Sequence, residues 1–529
     1  MKNLSYLIII LIMSLFSFLY SDNPIDNYLL GNNNLIVVGD FDDGIDKPRD
    51  LDFHPTIDNQ LWILNQGDDA YINNSENILS LCLPENSELT FTINDSYGDG
   101  MCCESGDGSY LVSACENIYA TGGDFENSES TSFNVGANCQ NSCSLGELEL
   151  GIIINTDDWA KETSWTLIDS DSEMVYARHL EPGGSTVIFH DVGLSSQTSE
   201  YRKDAYSRHF MHTASSLAFD DEGFFANTLD CQDANNNSNG FFTGPTLWDS
   251  DLSIYAVINQ NGPLLGSHLD MIHQSPYSMG IEYAGIGNVY WVFDGHHSSI
   301  VRYDFATPHE AGGHDHSDGK VWRYDEIDIS REEGISSHMI LDDSLNFLYI
   351  ADTGNQRILK FNVNSGNYSY DLTPYGESLS EYYMMENAEW EIYINQELDK
   401  PSGIDIYEDR LVVSDYTSGH IIIYDISTTL PNELGRIDTG SENNIMGIKI
   451  DHNQKIWFVN YNDNNVVRID YDVIHGDINS DGNINILDVV ALVDYILNFE
   501  DIDFLEADIN DDGNVNIIDV VQLVDLILN

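Results

Sequence analysis

Short apolar runs separated by polar turns recur through the middle of the chain. Four segments, starting at Tyr277, Ser337, Pro401 and Ile445, each hold an apolar run, a polar turn, a second run that ends in Asp or Asn, a polar linker and a third run. Apolar runs of this length between turn-forming residues are typical of β-strands. The pattern therefore predicts a small antiparallel sheet that is repeated along the chain.

Two weaker copies of the unit precede these four. One starts at Ser215, and the other starts near Pro48 but lacks its third strand, which the segment 183–193 would supply much later. A strand at 34–41 would complete the last copy and leave no sheet edge open. Units of several strands at this spacing are typical of propeller blades. We therefore expect six blades and an insertion in the first of them.

The run ADTGNQRILKF, from Ala351, is close to the NHL-repeat pattern. The body of the chain thus resembles an NHL-type β-propeller. The expected fold class is mainly β: a six-bladed β-propeller (34–67 and 183–472), a β-sandwich inserted in its first blade (68–182) and a small all-α domain at the end (476–529).

The insertion alternates apolar and polar positions around glycine-rich turns, as in LTFTINDSYGDGMCCESGDGSYLV from Leu89. This alternation predicts antiparallel strands, and the segment resembles a small Cys-containing β-sandwich module that occurs beside secreted enzymes. Asp95, Asp99 and Asp107 either bind calcium there or accept hydrogen bonds within turns. Cys231 lies outside the insertion and is expected to be a buried thiol. The six cysteines inside the insertion are expected to form disulfides, with 15 pairings open: Cys82, Cys102, Cys103, Cys115, Cys139 and Cys143.

The chain ends in two copies of an acidic loop followed by a helix-spaced apolar run, 476–497 and 507–528. Each loop places Asp or Asn at positions 1, 3, 5, 9 and 12 and glycine at position 6, which is the oxygen pattern of an EF-hand-type calcium loop. The backbone carbonyl at position 7 adds a ligand, so two calcium ions are expected. The two helices should pack on each other, because neither buries its apolar face alone. The expected calcium ligands are Asp477, Asn479, Asp481, Asn483, Asn485 and Asp488, and Asp508, Asn510, Asp512, Asn514, Asn516 and Asp519.

This duplicated loop and helix, with Asp at position 12, resembles a type I dockerin. The resemblance implies docking to a cohesin-like or other scaffold or surface protein, often in polysaccharide-degrading assemblies. Positions 10 and 11, which contact the partner in that family, are usually small or hydroxylated. Here they are Ile486, Leu487, Ile517 and Ile518, which favours a more apolar partner surface.

The N-terminus predicts export. Lys2 precedes a compact apolar run and a polar stretch, so residues 1–21 read as a cleaved signal peptide, with an uncleaved anchor as the alternative. We expect a secreted protein with no membrane span after cleavage, either free or attached to a cell surface. The chain has 89 acidic and 20 basic residues among 529, a net charge of -69. Without a basic stripe, nucleic acid is excluded as a partner.

Several of the 16 histidines fall at the starts of expected blades. Residues just before an innermost strand lie at a channel mouth, so His209, His273 and His338, with His268 as a second choice, are expected to converge and bind zinc or another transition metal. The motif SHMILD around His338 resembles a blade start of NHL-type amidating lyases. The alternative is a purely structural role, in which these imidazoles only donate hydrogen bonds to backbone carbonyl oxygens.

A second cluster lies on the loop PHEAGGHDHSDG and combines His309, His314, His316, Asp315 and Asp318. It predicts either a metal-binding loop or a flexible polar loop.

Two functions follow from the sequence. The first is polysaccharide recognition or breakdown by a propeller that its tail docks to a scaffold. The second is a metal-dependent lyase or hydrolase with a histidine-lined site in the channel.

Overall fold

The structure, a computed structural model, describes residues 23–30, 33–68, 73–103, 106–115, 117–136, 143, 146–170, 175–179, 182–235, 237, 239–342, 344, 346–471, 476–479, 483–498, 507–510 and 515–528. The expected signal peptide lies outside these ranges. Within them, no helix is both long and apolar enough to cross a bilayer. The fold is mainly β, with many small sheets and a helical C-terminal region.

The strands are described here in chain order. The first three are β1 (Asn33–Gly39), β2 (Pro48–Phe53) and β3 (Leu61–Asp68). The next eight are β4 (Glu76–Pro84), β5 (Glu88–Asp95), β6 (Ser109–Ala114), β7 (Asn117–Gly122), β8 (Ser128–Asn134), β9 (Glu147–Asn155), β10 (Thr163–Asp169) and β11 (Val175–His179). Ten more are β12 (Gly183–His190), β13 (Thr198–Arg202), β14 (Ala214–Phe219), β15 (Phe224–Leu229), β16 (Thr246–Asp249), β17 (Asp270–Met271), β18 (Ser278–Tyr283), β19 (Val289–Asp294), β20 (Ser299–Asp304) and β21 (Lys320–Tyr324).

The remaining strands are β22 (Met339–Asp342), β23 (Phe347–Asp352), β24 (Arg357–Asn362), β25 (Asn367–Asp371), β26 (Glu381–Glu386), β27 (Trp390–Ile394), β28 (Pro401–Tyr407), β29 (Arg410–Asp415), β30 (His420–Asp425), β31 (Asn432–Asp438), β32 (Ile445–Ile450), β33 (Ile456–Asn460) and β34 (Asn465–Tyr471). The described helices are α1 (Ser207–Phe210), α2 (Ile486–Asn498) and α3 (Ile517–Leu528), with short 3-10 helices at Pro24–Leu30, Phe41–Asp43, Ala160–Glu162 and Thr353–Asn355.

Six sheets, numbered 1 to 6 along the chain, form the body. Sheet 1 holds β2, β3, β12 and β13, and sheet 2 holds β14 to β17. Sheet 3 holds β18 to β21, extended by β26 and β25, and sheet 4 holds β22, β23, β24 and β27. Sheet 5 holds β28 to β31, and sheet 6 holds β32, β33, β34 and β1. The first strands of the six sheets contact one another in chain order, and β32 contacts β2 again, so these strands form a closed ring.

The first strands lie so close together that side chains do not fit at some positions. A Cβ on Gly280 would lie 2.0 Å from the carbonyl oxygen of Ser337, and one on Gly403 would lie 2.3 Å from that of Met446. A carboxylate also links neighbouring strands, because Asp50 Oδ2 on β2 accepts a hydrogen bond of 2.9 Å from the Leu217 amide on β14. The ring is therefore held by backbone proximity and by side-chain to backbone hydrogen bonds.

The apolar core of the body lies between consecutive sheets. Large rings on second strands pack on the next sheet: Trp62 of sheet 1 lies 5.6 Å from Phe219 of sheet 2, between ring centroids. Trp457 of sheet 6 lies 5.7 Å from Phe53 of sheet 1, which continues the packing across the closure. Since both faces of these strands are covered, they read in the sequence as continuous apolar runs.

Two long-range strand pairs complete the ring. β3 pairs with β12 antiparallel, with Leu61 opposite Phe189 and Asn65 opposite Ser185, although more than a hundred residues separate the two strands in the chain. β1 pairs with β34 from Asn33 opposite Tyr471 onwards, and so covers the outer edge of sheet 6. The sequence pattern predicts both pairings.

Strands β4 to β11 form two further four-stranded sheets, ordered β4-β9-β6-β7 and β11-β10-β5-β8. Their inward residues share one core that includes Phe91, Trp165 and Ile152. Disulfides join Cys82 to Cys143 and Cys102 to Cys103, Cys115 is also disulfide-bonded, and Cys139 lies outside the described residues. Cys231 is a buried thiol 3.6 Å from Thr243 Oγ1.

Candidate functional site

The two C-terminal loops have the same shape wherever the structure describes them. Asp488, at position 12 of the first loop, accepts hydrogen bonds from the Asn479 amide (3.1 Å) and the Asn485 amide (2.6 Å). Asp519 does the same with the Asn510 amide (3.3 Å) and the Asn516 amide (2.8 Å). Each position-12 carboxylate thus folds back over its loop. Asn483 is described and exposed, whereas Asp481, Asp512 and Asn514 lie outside the described residues.

These loops fit calcium by their charge and burial. Asp477, Asp488, Asp508 and Asp519 are all buried. No lysine, arginine or histidine occurs from 476 to 529, so no cationic side chain of the tail compensates these carboxylates. Burial of uncompensated carboxylates is costly, and hard oxygen donors in this number are the ligands that calcium prefers.

The expected partner-binding residues are exposed, although they are apolar. Ile486, Leu487, Ile517 and Ile518 are 46% to 64% exposed at the start of α2 and α3. Val490 and Val521, one turn further along the same two helices, are 60% and 63% exposed and were not singled out in the sequence. The other face of each helix is buried, with Leu492 and Leu523 in the core between them.

The histidines that the structure brings together come from segments around sheet 2 and from a loop of sheet 3. The ring centroids of His268, His309, His316, His273 and His209 form a row, with successive separations of 5.1, 5.2, 5.9 and 5.6 Å. Four of the five, together with exposed His314 and Asp315, line a pocket of about 540 Å³. The expected pair of His209 and His273 is therefore present, with His268 nearby.

Local structure explains how the row is assembled. His268 and His273 flank β17, and His209 lies in α1, whereas His309 and His316 come from the loop between β20 and β21. The Gly312 amide of this loop donates to the His268 carbonyl oxygen at 2.8 Å. Gly312 adopts φ +82°, and a Cβ there would lie 2.8 Å from the Gly266 carbonyl oxygen. Glycine thus permits the close approach that brings the two segments together.

Hydrogen bonds fix the tautomer of these imidazoles. Nδ1 of His268 lies 2.8 Å from the Leu265 carbonyl oxygen, and Nδ1 of His309 lies 2.8 Å from that of Glu310. Nδ1 of His273 lies 2.9 Å from Glu377 Oε2. Because these partners only accept, each Nδ1–H is the donor and each Nε2 keeps its lone pair. This is the arrangement of metal-ligand and general-base histidines.

Burial keeps most of these imidazoles neutral. It lowers the pKa of His268 to about 2 and that of His209 to about 4, and it also lowers the pKa values of His273 and His309. Burial acts in the same direction on His316, but the hydrogen bond and charge of Asp270, together with the charges of Glu377 and Asp315, outweigh it and raise the pKa of that imidazole. A set of neutral nitrogen donors beside a carboxylate is suited to a cation.

His338 is not among the residues that line this pocket. Its Nε2 lies 3.5 Å from Asp50 Oδ2, at the first strands of the ring, and burial lowers its pKa. The expected convergence of His209, His273 and His338 is thus replaced by a different set. The reason is that His268 and His273 flank the fourth strand of sheet 2, whereas His338 immediately precedes the first strand of sheet 4.

The ring interior holds a mixed-charge group near His338. Lys449 Nζ on β32 lies 3.5 Å from Asp52 Oδ1 on β2, and buried Glu282 and Asp405 face the same ammonium. Burial raises the pKa of Glu282 to about 8 and that of Asp405 to about 6, with Lys449 opposing both shifts. This group links strands of four sheets across the ring.

The expected acidic group of the insertion differs in one member. Asp95, Asp99 and Glu162 place carboxylate oxygens within 4.8 Å of one another, and Asp107 is not part of this group. Asp95 Oδ2 already accepts hydrogen bonds from three backbone amides, including one of 2.7 Å from Gly100. This matches the expected alternative of a turn-forming aspartate at this position.

The C-terminal region is thus a calcium-binding docking module by its loops and exposed helix faces. Residues 475–528 match the family model described as Dockerin type I domain. Type I dockerins bind calcium and attach to cohesins on scaffold proteins, and they are typical of extracellular or cell-surface proteins. The tail therefore supports calcium binding and attachment of the chain to a cohesin partner.

No curated protein sequence matches the chain significantly. Among solved structures, a nidogen/laminin complex is similar at 11% identity over 54% of this chain and 86% of that chain, with a TM-score of 0.34. An auxiliary nutrient binding protein from Bacteroides ovatus ATCC 8483 is similar at 10% identity over 80% and 97%, with a TM-score of 0.33. Myxococcus xanthus glutaminyl cyclase is similar at 11% identity over 52% and 94%, with a TM-score of 0.28.

Sequence reasoning missed several residues of these sites. Asp270 and Glu377 contact the histidine row but stand in no recognisable motif, and Glu162 lies far along the chain from Asp95. Val490 and Val521 could have been found, because the helix period places them on the same face as Ile486 and Ile517.

Proposed function

We propose that this chain is a secreted protein in which a six-bladed, NHL-like β-propeller (34–67 and 183–472) is the cargo of a calcium-loaded docking tail (476–529). The inserted β-sandwich (68–182) and the propeller together serve extracellular polysaccharide recognition or breakdown. The observation that carries the proposal is the tail itself, which buries the first and last carboxylates of its two loops and exposes two equivalent apolar helix faces. The closed ring of six first strands supports the propeller.

Exposed aromatic rings on the insertion support a polysaccharide ligand. Tyr97 and Trp159 are 77% and 49% exposed. The turns that carry them are adjacent, because the Ser96 amide donates to the Glu162 carbonyl oxygen at 3.0 Å. Flat aromatic faces with one polar atom suit the apolar faces of sugar rings, and such rings are costly to leave in water without a ligand.

The docking surface can be tested by charge insertion. The variant Ile486→Asp, Leu487→Asp, Ile517→Asp, Ile518→Asp should lose at least about 100-fold in affinity for a type I cohesin, because four exposed apolar side chains would become charged at the interface. Isothermal titration calorimetry against a panel of cohesin modules in millimolar calcium measures the effect.

The matched control is Leu497→Asp, Leu528→Asp. These residues are 72% and 78% exposed at the opposite ends of the same two helices. The control should bind within about threefold of the parent chain. If both variants lose affinity equally, or if the parent chain binds no cohesin, the assigned docking surface is wrong.

Polysaccharide binding can be tested by affinity electrophoresis in gels that contain soluble xylan, β-glucan or pectin. Tyr97→Ala, Trp159→Ala should weaken retardation by about tenfold, since loss of two stacking contacts costs on the order of 1–2 kcal/mol. The control Ile78→Ala, Ile118→Ala removes exposed aliphatic side chains of the same insertion and should change nothing. Absence of retardation of the parent chain in every gel would remove polysaccharide from the proposal.

A second candidate function, a metal-dependent lyase or hydrolase, is favoured by the histidine pocket. His273 Nδ1 is hydrogen-bonded to Glu377 Oε2, and Glu377 Oε1 accepts a hydrogen bond of 2.6 Å from Gln274 Nε2. His273 Nε2 is buried and has no hydrogen-bond partner among the described residues. A neutral imidazole oriented by a carboxylate in this way is suited to take a proton from a bound substrate or water.

A further inference from the structure

We propose that Asp270, His309 and His316 form a binding site for one divalent transition metal ion, zinc by the nature of its donors, at the junction of sheets 2 and 3. The site lies between the fourth strand of sheet 2 and the loop from β20 to β21. It specifies the metal that the second candidate function requires, but as a statement about binding it stands without that function. Its ligands differ from the set that the sequence favoured.

The first support is geometric. Each of the three residues places one ligand atom within 4.8 Å of the other two. Asp270 Oδ1 accepts a hydrogen bond of 2.6 Å from His316 Nδ1, and zinc binding at this nitrogen would release the proton of that bond to solvent. Ligand atoms around a tetrahedral zinc ion with bonds of 2.0–2.1 Å are separated by about 3.3 Å. The three side chains therefore need only small rotations to close around one ion.

The second support is a pair of orphaned polar atoms. Asp270 is fully buried, and its Oδ2 has no hydrogen-bond partner among the described residues; the same holds for buried His309 Nε2. Leaving a carboxylate oxygen and an imidazole nitrogen without a partner is costly in a protein interior. A single cation would satisfy both atoms at once, because both present lone pairs and neither offers a proton.

The third support comes from the surroundings of the three ligands. The Glu310 carbonyl oxygen holds His309 Nδ1 at 2.8 Å, and so directs the Nε2 lone pair away from that contact. Hydrogen bonds of this kind orient histidine ligands in metal sites. His316 lines the pocket, so the open coordination position faces a space large enough for water and a small substrate group.

The donor set determines the class of metal. Two imidazole nitrogens and one carboxylate oxygen suit zinc or ferrous iron, whereas the oxygen-only loops of the tail suit calcium. The two kinds of site in this chain should therefore fill independently. Calcium at millimolar concentration saturates the tail without competing effectively for imidazole nitrogens.

The test is a titration of the purified, EDTA-stripped full chain with zinc and with cobalt, in millimolar calcium. One equivalent of each metal should bind, and cobalt should give the visible absorption of a site with nitrogen and oxygen donors. Asp270→Asn and His309→Gln should each weaken binding by at least about 100-fold. His338→Gln should leave binding unchanged, because His338 lies beside Asp50 in the ring.

Thermal melting separates a metal ligand from a merely structural residue. Asp270→Asn keeps the shape, and its amide oxygen can still accept the hydrogen bond from His316, so without metal its melting temperature should stay within a few degrees of that of the parent chain, while the zinc-dependent increase is lost. The control His452→Gln changes an exposed imidazole on the turn between β32 and β33 and should keep both properties. Absence of binding by the parent chain, unchanged binding by Asp270→Asn, or equal loss in His338→Gln would overturn the proposal. None of these readouts depends on cohesin or polysaccharide.

Discussion

Removal of calcium with EGTA is expected to unfold the two C-terminal helices and to leave the β-sheets folded. The carboxylates of Asp477, Asp488, Asp508 and Asp519 are buried within a segment that contains no basic residue, so they repel one another when the ions leave. The helices hold only 13 and 12 residues, and helices this short are not stable alone in water. Ligand binding and folding are therefore one process in this segment.

Circular dichroism at 222 nm measures the loss, because the described helices outside the tail are only the four-residue α1 and short 3-10 helices. Asp477→Ala, Asp508→Ala should reproduce the effect of EGTA at millimolar calcium. The matched control Asp494→Ala, Asp525→Ala removes the same charge from exposed positions on the two helices and should keep the calcium-dependent signal. A helical signal that is unchanged by EGTA would contradict calcium-dependent folding.

Deletion of residues 23–39 is expected to abolish cooperative folding of the six sheets. This segment supplies β1, which covers the edge of sheet 6, and a 3-10 helix that buries Ile25 and Tyr28. Asp26 also receives two hydrogen bonds, of 2.6 and 2.8 Å, from the Arg410 guanidinium of sheet 5. The deletion thus opens a sheet edge and exposes core residues at the junction of sheets 5 and 6. The combined cost in free energy exceeds the usual free energy of unfolding of a domain.

Point variants at a buried and at an exposed position of this segment should differ in how much they lower the free energy of unfolding. Ile25→Ala should lower the free energy of unfolding by about 2–4 kcal/mol, because a fully buried isoleucine leaves a cavity. Val37→Ala, at a 55% exposed position of the same segment, should change it by less than about 0.5 kcal/mol. Urea denaturation of chains that start at residue 23 or at residue 40 provides the comparison. A cooperative transition of the shorter chain at the same midpoint would refute closure by the N-terminal segment.

The calcium loops of the tail and the proposed metal site of the pocket are assembled from the chain in different ways. In the tail, the ligands of each ion come from twelve consecutive residues, so the chain order itself brings them together. In the pocket, Asp270 lies on a strand while His309 and His316 lie on a loop of the next sheet. We expect the tail to lose its calcium on unfolding of a local element, and the proposed pocket site to lose a bound metal ion only when two sheets separate.

The sequence by itself determined the elements whose information is local. The alternation of apolar runs and polar turns predicted the strands, including the partner of β3 beyond the insertion and the partner of β34 near the N-terminus. The spacing of Asp, Asn and Gly predicted the dockerin loops, since ligand geometry there depends on a single turn of backbone. Through the dockerin resemblance, loop positions 10 and 11 predicted a partner surface at Ile486, Leu487, Ile517 and Ile518, and the structure leaves these residues exposed.

Only the tertiary structure decided which histidines meet. His209 and His273 were expected together, but His338 stays at the ring interior, and His309, His316 and Asp270 take its place in the group. No sequence pattern predicts that Asp270 or Glu377 contacts these histidines, because each is one acidic residue among 89 and lies in no motif. Their positions depend on how sheet 2 packs against sheet 3 and on the course of the loop through Gly312, and both are set by long-range contacts that a local sequence pattern does not encode.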